Sequence, residues 1–95
     1  MALLDDNEIQ QRLESSQWGR EGDAIARDFE FNDFAQAMTF VNAVAGIAEE
    51  RNHHPDILVH GWNKVRLTVT NHSEGGLTEA DFGLAHAVDA VADAQ

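Results

Sequence analysis

A single proline divides this chain into two kinds of periodicity. Before Pro55, apolar residues from Phe34 to Ala48 recur every three or four positions, the repeat of an amphipathic helix. After it, Leu58, His60 and Trp62, then Val65, Leu67 and Val69, recur at every second position, the repeat of strands. Proline removes a helical donor and biases the preceding residue toward extended backbone, so the helix must stop at or just before His53-His54. Two adjacent imidazoles therefore stand where the chain changes structure. Imidazole titrates near neutrality as a side-chain type, and the negative end of a helix dipole favours cations. The pair is a candidate for proton transfer, with a solvated polar helix cap as the plainer alternative.

The other elements follow in order. Asp5 or Asp6 can cap a first helix, with Ile9 and Leu13 on its inner side and an end near Ser15 to Gln17. Trp18-Gly19-Arg20-Glu21-Gly22 is turn-rich and has room for a short strand. Ile25, Arg27, Phe29 and Phe31 then alternate with Ala24, Ala26, Asp28 and Glu30, the pattern of a strand. Asn32 or Asp33 caps the long helix, and Asp33 with Gln36 has capping-box spacing. Its expected core stripe is Phe34, Ala37, Met38, Val41, Ala45 and Ala48, widened by Phe40, Val44 and Ile47. Thr78 caps a last helix, with Asp81 at the capping-box position and Phe82, Ala85, Val88, Val91 and Ala92 on the buried side. The expected fold is α+β: a four-stranded antiparallel sheet with three helices packed on one face, in the order α-β-β-α-β-β-α, as a single domain over residues 1–95.

The hairpin brings a third histidine into play. With Asn63-Lys64 as a two-residue turn, Trp62 pairs with Val65 and Leu58 with Val69, which gathers the large apolar side chains on one face. Trp62 is then expected to be buried. The same register sets His72 opposite Pro55, beside His54, and a slip of two residues sets it opposite His53. Directly opposed residues lie about 5 Å apart at Cβ, so His53, His54 and His72 are expected to converge. Glu49, one turn before His53, is expected to orient it. His60 is expected on a sheet face and His86 on a helix surface.

Composition excludes several functions. Seventeen acidic against six basic side chains give a formal charge of −11, and protonating all five histidines would leave −6. A basic face for direct nucleic-acid contact is not expected. No apolar run approaches the length of a membrane span, and no basic region precedes the apolar residues at the N-terminus, so the reading is soluble and cytoplasmic. With no cysteine, neither a disulfide nor a thiolate metal site can form. Three histidines and a carboxylate could hold a divalent metal, but adjacent histidines seldom aim at one ion and no familiar zinc spacing occurs. No metal and no cofactor are expected. Acid/base chemistry by imidazoles in different surroundings suits the residues better.

The placed residues Glu49, His53, His54, Pro55, Trp62, His72 and Asp81 resemble the signature of the pterin-4a-carbinolamine dehydratases. Similarity extends from Trp18-Gly19 through Asn63-Lys64-Val65 and Gly76-Leu77-Thr78-Glu79-Ala80-Asp81 into the last helix, where Ala80 replaces a residue that is basic in many relatives. The resemblance implies a hydro-lyase that dehydrates 4a-hydroxytetrahydrobiopterin to quinonoid dihydropterin, recycling the pterin of aromatic amino acid hydroxylases, its metabolic partners. It implies catalysis by His53, His54 and His72, with Glu49 and Asp81 in support. His54 would mainly hold the pterin, and His53 and His72 would serve as acid or base. It also implies a homodimer or tetramer. The alternative is a protein-binding module or coactivator-type dimerisation cofactor with a secondary pterin site.

Overall fold

The computed structural model describes residues 2–94; Met1 and Gln95, which the expected 1–95 domain includes, lie outside the described residues. Helix α1 (Asp6–Leu13) starts at Asp5, whose carboxylate accepts the Glu8 N–H while the Glu8 carboxylate accepts the Asp5 N–H. Strands β1 (Gly19–Glu21) and β2 (Ala24–Glu30) follow, then helix α2 (Phe34–Arg51), strands β3 (Asp56–His60) and β4 (Lys64–Val69), and helix α3 (Glu79–Asp93). All strand pairings are antiparallel in the order β1-β2-β4-β3, which leaves β3 at an edge. The α+β architecture and its element order are those expected.

The helices cover the sheet face formed by Ile25 and Phe29 of β2 and Val65, Leu67 and Val69 of β4. From α2 come Ala37, Phe40 and Val44, and from α3 Leu84, Ala85 and Val88. Phe40 is the hub, its ring 4.7 Å from that of Phe29 and 5.0 Å from that of Phe31. That contact sets the rotation of α2: Phe40 and Val44, expected at the flank of the stripe, occupy its centre, while Phe34 and Ala45 turn outward and are exposed. Truncating a fully buried phenylalanine in such a core costs about 3 to 5 kcal/mol.

The hairpin register differs from the expected one. Val59 pairs with Val65 and Leu58 with Arg66, and the connection is Gly61-Trp62-Asn63 rather than Asn63-Lys64. Gly61 (φ 55°) and Trp62 (φ 59°) both adopt left-handed backbone, the requirement of a tight hairpin turn whose twist matches the strands. Asn63 then points inward: its side-chain N–H donates to the Phe31 carbonyl at 2.9 Å, and its own carbonyl accepts the Phe31 N–H. The register is displaced by an odd number of residues, so every side chain of β3 changes face relative to those of β4. Leu58 is exposed, and Trp62 is 62% exposed instead of buried. The run Ile57-Leu58-Val59 is apolar on both faces, so alternation alone could not choose between the two registers.

Candidate functional site

Helix α2 ends in a way that separates its two histidines. Asn52 takes the left-handed conformation (φ 50°), and the His53 N–H reaches back to the Ala48 carbonyl at 3.0 Å, closing a Schellman turn. His53 has therefore left the helical path, and the spacing of four residues from Glu49 no longer brings the two side chains together. Glu49 pairs with His54 instead, Oε2 to Nε2 at 2.5 Å, in an exposed contact. The expectation that Glu49 orients His53 is corrected accordingly.

His53 has a different carboxylate. Its Nε2 lies 2.6 Å from Asp81 Oδ1. Asp81 is completely buried, and only 15% of the His53 side chain is exposed. Asp81 stands in the first turn of α3, where its second oxygen, Oδ2, accepts the Thr78 backbone N–H at 2.7 Å and the Thr78 hydroxyl at 3.3 Å. One carboxylate thus closes the start of α3 and holds a histidine at the end of α2. A buried carboxylate with each oxygen hydrogen-bonded is a satisfied group, and both jobs depend on the same rotamer.

The expected convergence of His72 with His53 and His54 is corrected, because the observed hairpin register does not bring His72 level with either. Asp56 pairs with Thr68, so continuing the register past that pair brings Thr70 rather than His72 level with His54. His72 is exposed in a loop closed by the bridge between Asn71 and Gly76. It borders a cleft of about 250 Å³ shared with Asp23, Thr70 and Gly75. The loop is tied to His53 through side chains: Asn71 Nδ2 donates to Thr78 Oγ1 over a long 3.5 Å, Thr78 donates to Asp81, and Asp81 meets His53. Thr78 and Asp81 were visible in the sequence as a capping pair. Asn71 carried no signal, because its role depends on a loop folding back onto the start of α3.

His60 ends β3 and is exposed, and His86 lies on the exposed side of α3. A larger cleft of about 480 Å³ runs beside α3 past Arg12, Trp18, Phe82 and His86, and includes none of the five expected site residues. Arg12 there pairs with Glu79, while Asp89 accepts from the Trp18 indole N–H at 2.8 Å and from Arg27, outside the cleft, at 2.5 Å. Among the described residues no group of three His, Cys, Asp or Glu side chains is placed to hold a metal ion. What the arrangement offers is two neighbouring imidazoles, each hydrogen-bonded to its own carboxylate, one sheltered and one open to solvent.

Comparison with known proteins places the chain among relatives along nearly its whole length. The family model described as pterin 4 alpha carbinolamine dehydratase matches residues 2–91. A protein of Thermomicrobium roseum, provisionally named pterin-4-alpha-carbinolamine dehydratase, is 50% identical over 86 residues, covering 90% of this chain and 91% of its own. One of Natronomonas pharaonis with the same provisional name is 41% identical, covering 95% and 96%. Among solved structures, a transcriptional coactivator/pterin dehydratase from Brucella melitensis superposes with a TM-score of 0.89 at 34% identity, over 95% of this chain and 98% of that one. A pterin dehydratase-like protein identified as a RuBisCO assembly factor in the alpha-carboxysome has a TM-score of 0.70 at 31% identity, over 82% and 92%.

Proposed function

The chain belongs to the pterin-4a-carbinolamine dehydratase family, and from that premise we propose that it dehydrates 4a-hydroxytetrahydrobiopterin to quinonoid dihydropterin and water by histidine acid/base catalysis. The observation that carries this reading is the pair His53–Asp81 and His54–Glu49: adjacent imidazoles, each with one ring nitrogen engaged by a carboxylate. The reaction asks for that equipment. The 4a-hydroxyl must gain a proton to leave as water, and N5 must lose one as the C4a=N5 double bond forms. His53 and His72 serve as acid and base, and the more exposed His54 holds the pterin and orients the transfers. Each positioned transfer contributes roughly 10²- to 10⁴-fold in rate. The reaction recycles the pterin of aromatic amino acid hydroxylases, in the cytoplasm, by a homodimer or tetramer without a metal.

The direct test follows the decay of 4a-hydroxytetrahydropterin, generated in situ by a phenylalanine hydroxylase, with and without the protein and in the presence of a chelator. Acceleration that survives the chelator is expected. No acceleration by the folded protein would overturn the reading.

A second reading, a protein-binding module, is favoured by one observation: Leu58 and Trp62 are exposed at the edge strand and its turn. If the decay assay is silent, a partner for that edge becomes the leading hypothesis.

A further inference from the structure

The two oxygens of Asp81 do different work, and the difference fixes the chemistry of His53. Oδ2 takes two donors from Thr78, the backbone N–H at 2.7 Å and the hydroxyl at 3.3 Å. Oδ1 faces His53 Nε2 at 2.6 Å inside a site from which water is excluded at the carboxylate. An ionised carboxylate can only accept, and with Asp81 in that form His53 Nε2 is the donor of this contact. The imidazole is thereby held with its proton on Nε2, and Nδ1 is the ring nitrogen left for a bound molecule.

We propose that Thr78 is a positioning residue for His53, acting through Asp81 to hold the Nε2–H tautomer and direct Nδ1 toward the substrate, with Asn71 orienting the Thr78 hydroxyl. This rests on the dehydratase reading for its catalytic consequence, but not for its structural one. Thr78 is completely buried, and its hydroxyl stands between the Asn71 amide and Asp81, accepting from the first and donating to the second. A hydroxyl used only to cap α3 would do no more than accept from a backbone N–H of the first turn; this one also donates to the carboxylate that holds the histidine. Asn71 also accepts the Gly75 N–H at 2.9 Å through its carbonyl and the Ser73 hydroxyl at 2.8 Å through its side chain. The loop that carries His72 and the tautomer of His53 therefore share one hydrogen-bonded support.

The test combines long-range ¹⁵N–¹H NMR of the imidazoles with steady-state dehydration kinetics on the full chain and on Thr78→Val, Thr78→Ser and Asn71→Ala. In the wild type, the His53 resonances should show a protonated Nε2 and an unprotonated Nδ1 when the ring is neutral. Thr78→Val keeps the branched shape and removes the hydroxyl; it should mix the two tautomers and lower kcat three- to tenfold with KM nearly unchanged. Thr78→Ser should restore both readouts, which a role confined to packing would not do, and Asn71→Ala should shift the tautomer in the same direction more weakly. A neutral His53 protonated at Nδ1 in the wild type, or a folded Thr78→Val with an unchanged tautomer, would overturn the proposal. If the wild type showed no dehydration, the functional reading would fall while the NMR comparison still decided the role of Thr78.

Discussion

Asp81 Oδ1 lies 2.6 Å from His53 Nε2 across 28 residues of sequence, joining the first turn of α3 to the turn that ends α2. The contact is sheltered, and the same carboxylate closes the N-terminus of α3 through Thr78. The start of α3 and the seating of His53 are therefore coupled at one side chain. Asp81→Asn keeps the size of the group but offers only one oxygen acceptor, so it cannot serve both Thr78 and His53 as before. Loss of a hydrogen bond to a charged group costs about 1.5 to 3 kcal/mol. A fall of that order in urea unfolding is expected, together with a drop in kcat of about ten- to a hundredfold, a change of about 1.4 to 2.7 kcal/mol in barrier. Wild-type kinetics in a folded Asp81→Asn would remove Asp81 from the mechanism.

His54 and His72 are both exposed, so neither contributes much to the core. His54→Ala and His72→Ala should leave far-UV circular dichroism unchanged, each with a loss of dehydration of about a hundredfold or more, in the range of a positioned proton transfer. Near-native rates in both variants would contradict the acid/base assignment.

The elements of the fold were legible because each announces itself locally. Asp5, Asp33 and Thr78 mark the starts of helices, Pro55 marks the switch of period, and the paired bulky residues of β2 and β4 alternate cleanly. The candidate site residues stand out in the sequence through their spacing, but the carboxylate that each histidine meets does not. Glu49 and His53 are four apart, yet left-handed Asn52 intervenes, so the helical geometry that would join them ends one residue too early. Likewise the turn was misplaced because Gly61 and Trp62, not Asn63-Lys64, supply the left-handed backbone. Each of the two sites includes a residue other than glycine at positive φ, Asn52 and Trp62, a conformation that the sequence does not announce.

Asn63 is the residue that holds the observed hairpin register. It is buried, and its side chain donates to the Phe31 carbonyl while its backbone accepts the Phe31 N–H. Asn63→Ala would leave that carbonyl without its side-chain donor and open a small gap under the turn. A loss of about 1 to 3 kcal/mol is expected from an unsatisfied buried partner, read as a lower urea midpoint at constant m-value. An unchanged midpoint would mean that the Gly61-Trp62 turn sets the register without help.

Trp62 poses the opposite case. It occupies left-handed backbone (φ 59°) with 62% of its surface exposed, a poor position for a bulky side chain in an isolated chain. Left-handed backbone costs a non-glycine residue about 1 to 2 kcal/mol, and asparagine tolerates it better than most. If the ring gains nothing from burial, Trp62→Asn should raise stability by about 0.5 to 1 kcal/mol, since relief of the strain outweighs the little packing that an exposed ring supplies. Thermal unfolding at two protein concentrations measures this directly. A concentration-independent rise in Tm is the expected result for a protein in which Trp62 faces solvent. A fall that deepens at higher protein concentration would show instead that the ring is covered when copies of the chain associate, and that the strain at the turn is maintained by that association.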